Sequence, residues 1–286
     1  MAQTRIYRVL TAAAKIAISG GAVWFVLSKI DGRELIGAFR NVCWWMLILS
    51  AVLFVASKVV SAYRLQVYFR NVDVAIAPST NLRLYWLGMF YNLFLPGGIG
   101  GDGYKVWLLH RQAGYSVKRT AAAVLLDRVN GMLAIVLLAL LLALFIPELG
   151  WYRYAAALLL PLSVLLYSYL VAKLFPSFYK SIRATTLLSF AVQLLQVLSV
   201  LLIIGAIGIT SFYLELVLVF LISSAVAVLP FTIGGVGARE VVFLYGSTIL
   251  GLDSSLSVAI SFIFFTITAV VSLGGVYYSI AKISIK

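Results

Sequence analysis

Long runs of apolar residues separated by short polar stretches dominate this chain. A helix needs about 20 residues to cross the hydrocarbon of a bilayer. Six runs reach that length, near 9–29, 43–63, 121–146, 152–174, 185–209 and 255–281. Two further apolar segments, 81–109 and 213–250, are each broken in the middle by Pro and several Gly. The pattern predicts an all-α polytopic membrane protein with about six full transmembrane helices and two re-entrant broken helical hairpins, in a single transmembrane domain over 1–286.

Composition agrees with the pattern. Hydrophobic residues make up 63% of the 286 and charged residues 11%, where a soluble chain carries about a quarter charged residues. Lys and Arg number 22 against nine Asp and Glu. They fall between apolar runs rather than on one basic face, so the partner they imply is a membrane surface and not nucleic acid. Cys43 is the single cysteine; it excludes an internal disulfide framework, lacks neighbouring His or Cys, and receives no metal or redox role. Arg5, Arg8 and Lys15 precede the first apolar run as in a signal peptide. That run has no small-residue cleavage site, so an uncleaved first span is expected.

The two breaks match each other. Leu95-Pro96-Gly97-Gly98-Ile99-Gly100-Gly101-Asp102-Gly103-Tyr104-Lys105 aligns with Leu229-Pro230-Phe231-Thr232-Ile233-Gly234-Gly235-Val236-Gly237-Ala238-Arg239 at a constant offset of 134 residues, counted from Leu95 to Leu229. Leu, Pro, Ile and three Gly coincide, and a basic residue closes each segment. With six prolines in the chain, two in register indicate an internal duplication, with pseudo-repeats at roughly 40–146 and 175–282. Pro lacks an amide hydrogen and Gly permits non-helical angles, so the unwound backbone has to line an enclosed or watery cavity, since lipid cannot satisfy it. Helices resuming after Gly100-Gly101 and Gly234-Gly235 turn the positive ends of their dipoles toward that cavity, which suits an anion. Matching broken segments in two halves are a sequence pointer to a transporter's site.

The positive-inside rule supports re-entrance. With both termini cytoplasmic and both broken segments turning back, one side collects eleven basic residues, among them Arg70, Lys105, Arg111, Lys118, Arg119 and Lys180. A full crossing by the first segment alone would move the cluster from Lys105 to Arg119 outside. Three full spans separate the hairpins, so they enter from opposite faces, and the repeats are inverted.

Charges inside apolar runs cost on the order of 3 kcal/mol each on insertion scales, and they usually face a cavity with partners. Lys58 and Arg64, with Ser61 between them, share a face of the second span. Asp127 and Arg128 lie two turns into the third, followed by Asn130. Asp102 follows the first Gly pair, Arg239-Glu240 the second, and Asn92 precedes Pro96 by one turn. Each also has a simpler reading. Asp102 suits the first turn of a half-helix, Arg64 is read as snorkelling to the cytoplasmic interface, Asp127 and Arg128 suit a structural role, paired with one another or with a neighbouring helix, and Arg239-Glu240 suit an interfacial pair. His110 is read as a solvated residue at the membrane edge.

From Asn92 to Asp102 with Lys105, through Asp127-Arg128-Val129-Asn130-Gly131, to Pro230 with Ile233 to Glu240, the chain resembles the flippase-like transmembrane family. That family includes the membrane region of lysylphosphatidylglycerol synthases and stand-alone relatives. The resemblance covers essentially the whole chain. It implies translocation of a phosphate-bearing lipid, a phospholipid, aminoacyl-phospholipid or polyprenyl-phosphate-linked lipid, across the cytoplasmic (inner) membrane, and a lipid-modifying synthase or glycosyltransferase acting upstream. Lys105 stands where Arg is commoner in the family, keeping the charge without bidentate geometry. The substrate-binding set is therefore Lys58, Asn92, Gly100, Gly101, Asp102, Lys105, Asp127, Arg128, Gly234, Gly235, Arg239 and Glu240, with no cofactor or metal. No Walker A, HExxH or nucleophile-elbow motif occurs, so a transporter is expected rather than an enzyme. Two alternatives stand beside the flippase: a membrane-embedded lipid-modifying enzyme or synthase subunit, and a small-solute or ion carrier.

Overall fold

The computed structural model describes residues 42–94, 100–228, 237–281, 283 and 285. Among them the secondary structure is entirely helical. The first expected span, 9–29, and the cores of both breaks, including Gly234 and Gly235, lie outside the described residues. The helices are α1 (Trp44–Arg70), α2 (Pro78–Phe94), α3 (Gly100–Ala113), α4 (Val117–Ala143), α5 (Tyr152–Leu174), α6 (Ile182–Ala206), α7 (Tyr213–Val228), α8 (Ala238–Leu250), α9 (Ser254–Leu273) and the short α10 (Val276–Ile280).

Five stretches are long and apolar enough to cross a membrane: Trp44–Arg70, Val117–Ala143, Tyr152–Leu174, Pro176–Ala206 and Ser254–Ile280. They match five of the six expected spans with boundaries moved by a few residues. The helices beside the breaks are shorter. At 1.5 Å per residue, α2 and α3 reach about 25 and 21 Å, and α7 and α8 about 24 and 20 Å. None of them alone covers a hydrocarbon core of about 30 Å.

Contacts at the helix ends fix where each segment starts and returns. The Tyr115 hydroxyl donates to the Ala75 carbonyl at 3.0 Å, and Arg119 pairs with Asp73 at 3.6 Å. The loop before α2 and the turn after α3 therefore meet at one end of the bundle. The Asn71 side chain reaches Ser181 there, and the Ile285 amide donates to Gln112 at 3.0 Å. At the opposite end the Cys43 amide donates to the Ala206 carbonyl at 2.9 Å, and Arg153 donates to the Leu144 carbonyl. Moving from Cys43–Ala206 through Ser50–Ser199 to Asn71–Ser181, one number rises as the other falls, so α1 and α6 pack antiparallel.

Polar residues are buried among the apolar core, and large apolar residues face outward. Buried positions include Ser50, Ser61, Gln66, Asn81, Asn130 and Gln196, while α5 leaves Leu158, Leu162, Leu165 and Leu166 exposed. In lipid that arrangement is favourable, because an apolar outer face meets acyl chains while polar groups are kept from them. Trp44, Trp45, Trp151, Tyr152 and Tyr154 are exposed at the Cys43 end, where amphipathic rings sit at the headgroup level. Two apolar clusters hold the bundle. One joins the last turns of α1 with α2, α3 and α4, around Tyr68, Phe69, Leu84 and Leu109. The other joins α6, α7, α8 and α9 around Val200, Phe220, Phe243 and Phe264. Phe54 of α1 and Ile135 of α4 also belong to the second cluster, and Tyr167 and Val171 of α5 to the first; a polar cavity lies within the bundle.

Candidate functional site

The cavity has a volume of about 290 Å³ and draws side chains from α1, α2, α3, α4, α6, α7, α8 and α9. On the long helices α1 and α6, lining residues sit near the middle. Lys58 is about 21 Å along α1 from Trp44 and about 18 Å from Arg70, and Gln193 is about 16 Å into α6, at 1.5 Å per residue. Asp102 and Arg239 belong to the first turns of α3 and α8, the ends of the short helices that point away from the bundle's rims.

Five cations line this space, Lys58, Arg64, Lys105, Arg128 and Arg239, against two carboxylates, Asp102 and Asp127. The carboxylates are committed. Asp102 Oδ1 accepts from Lys105 Nζ at 2.7 Å, and its Oδ2 accepts from Arg128 Nε. Asp127 Oδ1 accepts from Arg64 Nε at 2.7 Å. Lys58 and Arg239 form no ion pair with a carboxylate among the described residues; Lys58 Nζ lies 4.4 Å from the Phe54 ring and the Arg239 guanidinium 5.3 Å from Phe264. Both contacts exploit the negative face of an aromatic ring.

Behind the Arg64–Asp127 pair runs a neutral network. Arg64 Nη1 donates to Ser189 Oγ at 2.6 Å, and Ser189 Oγ donates to Asn130 Oδ1 at 2.6 Å. Asn130 Nδ2 donates to the Tyr68 and Tyr167 hydroxyls at 2.8 Å each. The chain of bonds ties α1, α4, α5 and α6 together. Gly131 leaves room for it, since a Cβ there would lie 3.3 Å from Arg64 Nη1.

The family profile of the lysylphosphatidylglycerol synthase TM region matches residues 12–275. The chain belongs to this family. A comparison with curated proteins finds no match. As a member of the lysylphosphatidylglycerol synthase TM-region family it is a multi-pass membrane protein.

Of the residues expected from sequence, Lys58, Asn92, Asp102, Lys105, Asp127, Arg128 and Arg239 line the cavity together. Gly100 and Gly101 form the first turn of α3 behind it. A Cβ on Gly101 would run into the Gly88 carbonyl of α2, so this glycine permits close helix packing. The Gly101 amide, expected to face an anion, instead donates to Asn92 Oδ1 at 2.8 Å. Glu240 is buried outside the lining: its Oε2 accepts from the Gly237 amide at 2.7 Å and its Oε1 from Ser261 at 2.9 Å. It caps α8, whose preceding Gly237 has a φ of 84°, a left-handed angle that favours glycine. Arg64 corrects the sequence reading most clearly. It does not snorkel to the interface; only 4% of it is exposed, because Asp127 and Ser189 hold it inside. His110 is exposed, with Nδ1 2.9 Å from the Tyr115 carbonyl. Among the described residues no group of three or more His, Cys, Asp or Glu gathers that could hold a metal ion.

The structure also adds Tyr85, Gln193, Gln196 and Ser224 to the cavity wall. Gln193 and Gln196 lie one turn apart on α6, a spacing that puts both on one helix face. A pair of amides on one face of an apolar span was the available signal.

Proposed function

We propose that this protein is a lipid flippase that carries a phosphate-bearing headgroup through the cavity between its two halves while the acyl chains stay in lipid. The observation that carries this reading is the surplus of cations over carboxylates at mid-helix depth. Uncompensated charge at that depth is costly, so an anionic partner that arrives there lowers the energy of the protein. A volume of about 290 Å³ sits at the lower bound of small-molecule sites and suits a headgroup rather than a whole lipid.

Alternating access follows from the two short helix pairs. The pair α2–α3 starts and ends at the rim carrying Arg70, Arg111, Lys118, Arg119, Lys173 and Lys180, and three spans later α7–α8 starts from the other rim. Read as inverted re-entrant hairpins, they let either half close over the cavity while the other opens. The basic rim is the cytoplasmic one under the positive-inside rule, and the opposite rim carries Arg153 with Glu148, Glu215 and Asp253. An upstream synthase or glycosyltransferase would supply the lipid. The alternative of a lipid-modifying enzyme is less well supported, because both lining carboxylates are occupied by cations and neither stands ready as a general base.

The test is headgroup translocation in reconstituted vesicles, read by chemical quenching of a fluorescent phospholipid. Arg239→Gln leaves no orphaned carboxylate, so the protein is expected to fold normally and to lose about tenfold or more of its rate, the effect of removing one buried charge contact. Unchanged translocation would overturn the reading, and formation of a modified lipid by the purified protein would favour the enzyme.

A further inference from the structure

The cations of the cavity fall into two groups, and the difference between them bears on which headgroup it takes. Arg64, Lys105 and Arg128 are paired with Asp102 and Asp127. Lys58 and Arg239 form no ion pair with a carboxylate among the described residues. Two neutral groups of the lining are also unsatisfied: Gln193 Oε1 and Ser224 Oγ are buried without a hydrogen-bond partner. Their residues are 5% and 6% exposed. Buried polar atoms are nearly always bonded in native proteins, and each one left unpaired calls for an explanation such as a ligand or water; Gln66 Oε1, Asn81 Oδ1 and Ser257 Oγ are unpaired away from the cavity. Here two such atoms border the same space as two cations without carboxylate partners.

We propose that Lys58, Arg239, Gln193 and Ser224 form the headgroup seat, and that it selects an anionic phosphodiester lipid bearing hydroxyl groups over one bearing amines. The proposal rests on the transport reading and sharpens it. Lys58 and Arg239 take the phosphodiester oxygens. Gln193 Oε1, an acceptor, needs a donor, and a headgroup hydroxyl supplies one while accepting from Ser224 Oγ in return. An ammonium would satisfy Gln193 as well, but it would bring a positive charge among five cations whose two carboxylates are already engaged. Like charges brought together at a desolvated site strongly disfavour a ligand. Selectivity therefore comes from repulsion of amine headgroups as much as from attraction of hydroxyls.

The test is native mass spectrometry of the intact protein with pairs of lipids of identical acyl chains. Phosphatidylglycerol is expected to outcompete lysylphosphatidylglycerol by about tenfold or more. It is also expected to outcompete phosphatidylpropanol, which has the same charge without hydroxyls, by a smaller margin. In Gln193→Leu/Ser224→Ala the second preference disappears and the first persists; in Lys58→Gln both anionic lipids weaken equally. Tighter binding of lysylphosphatidylglycerol, or equal binding of phosphatidylglycerol and phosphatidylpropanol by the wild-type protein, overturns the seat, and neither result requires a variant to fold. Selective binding without translocation of any lipid in vesicles would instead overturn the transport reading and leave the seat standing.

Discussion

Neutralising Asp127 exposes how much of the cavity's charge is architecture. Asp127→Asn keeps the shape of the side chain and an acceptor oxygen, but it leaves the Arg64 guanidinium, 4% exposed, without a counter-charge. At an effective dielectric constant near 20, two unit charges about 4 Å apart attract by about 4 kcal/mol, and breaking a buried pair by removing one partner typically costs 3–5 kcal/mol. The surviving bond from Arg64 to Ser189 offsets part of this, so a loss of roughly 3 kcal/mol is expected. At 2–4 °C per kcal/mol for a chain of this size class, the apparent melting temperature should fall by roughly 6–12 °C.

The pair offers an internal control. Arg64→Met leaves Asp127 beside other cations of the same lining, Lys58 and Arg128, so it should cost less than Asp127→Asn. The double variant Arg64→Met/Asp127→Leu leaves no orphaned charge, and replacement of buried ion pairs by apolar residues is often neutral. The assay is thermal unfolding of the detergent-solubilised protein followed by size-exclusion recovery of monodisperse material. An Asp127→Asn protein as stable as wild type, or a double variant as unstable as the sum of the singles, would refute the reasoning and assign the pair to substrate contact.

Two further predictions concern packing and orientation. Gly101→Ala drives a Cβ into the Gly88 carbonyl and should destabilise by about 1–3 kcal/mol, whereas Gly103→Ala, with nothing within 4 Å of the added atom, should be neutral or stabilise its helix by up to about 1 kcal/mol; comparable melting shifts for both would contradict the α2–α3 contact. Cys43, the single cysteine of the chain, is exposed at the rim opposite Lys118 and Arg119. A membrane-impermeant maleimide should therefore label it in intact cells and not in inside-out vesicles, and the reverse pattern would invert the proposed orientation.

The parts of this site that the sequence displays are those that lipid makes expensive. Five of the spans are legible because a helix in hydrocarbon must be long and apolar throughout. Lys58, Asp102, Lys105, Asp127, Arg128 and Arg239 stand out because a charge in such a run needs a reason. Their pairings are not legible. Arg64 and Asp127 lie 63 residues apart, and nothing local distinguishes an arginine that snorkels from one held inside by a partner on another helix. Glu240 is a case where the pattern misleads, since a carboxylate three residues after Gly237 satisfies a backbone amide as a cap and looks identical in sequence to one facing a ligand. Gln193 and Ser224 are harder still, because a neutral amide or hydroxyl crosses hydrocarbon at modest cost and raises no alarm in an apolar run. Charges therefore mark where a membrane cavity is, while its preference among ligands depends on neutral groups visible only once their missing partners are counted in three dimensions. For this protein that makes the unsatisfied oxygens of Gln193 and Ser224 better witnesses to the headgroup than any of the five cations around them.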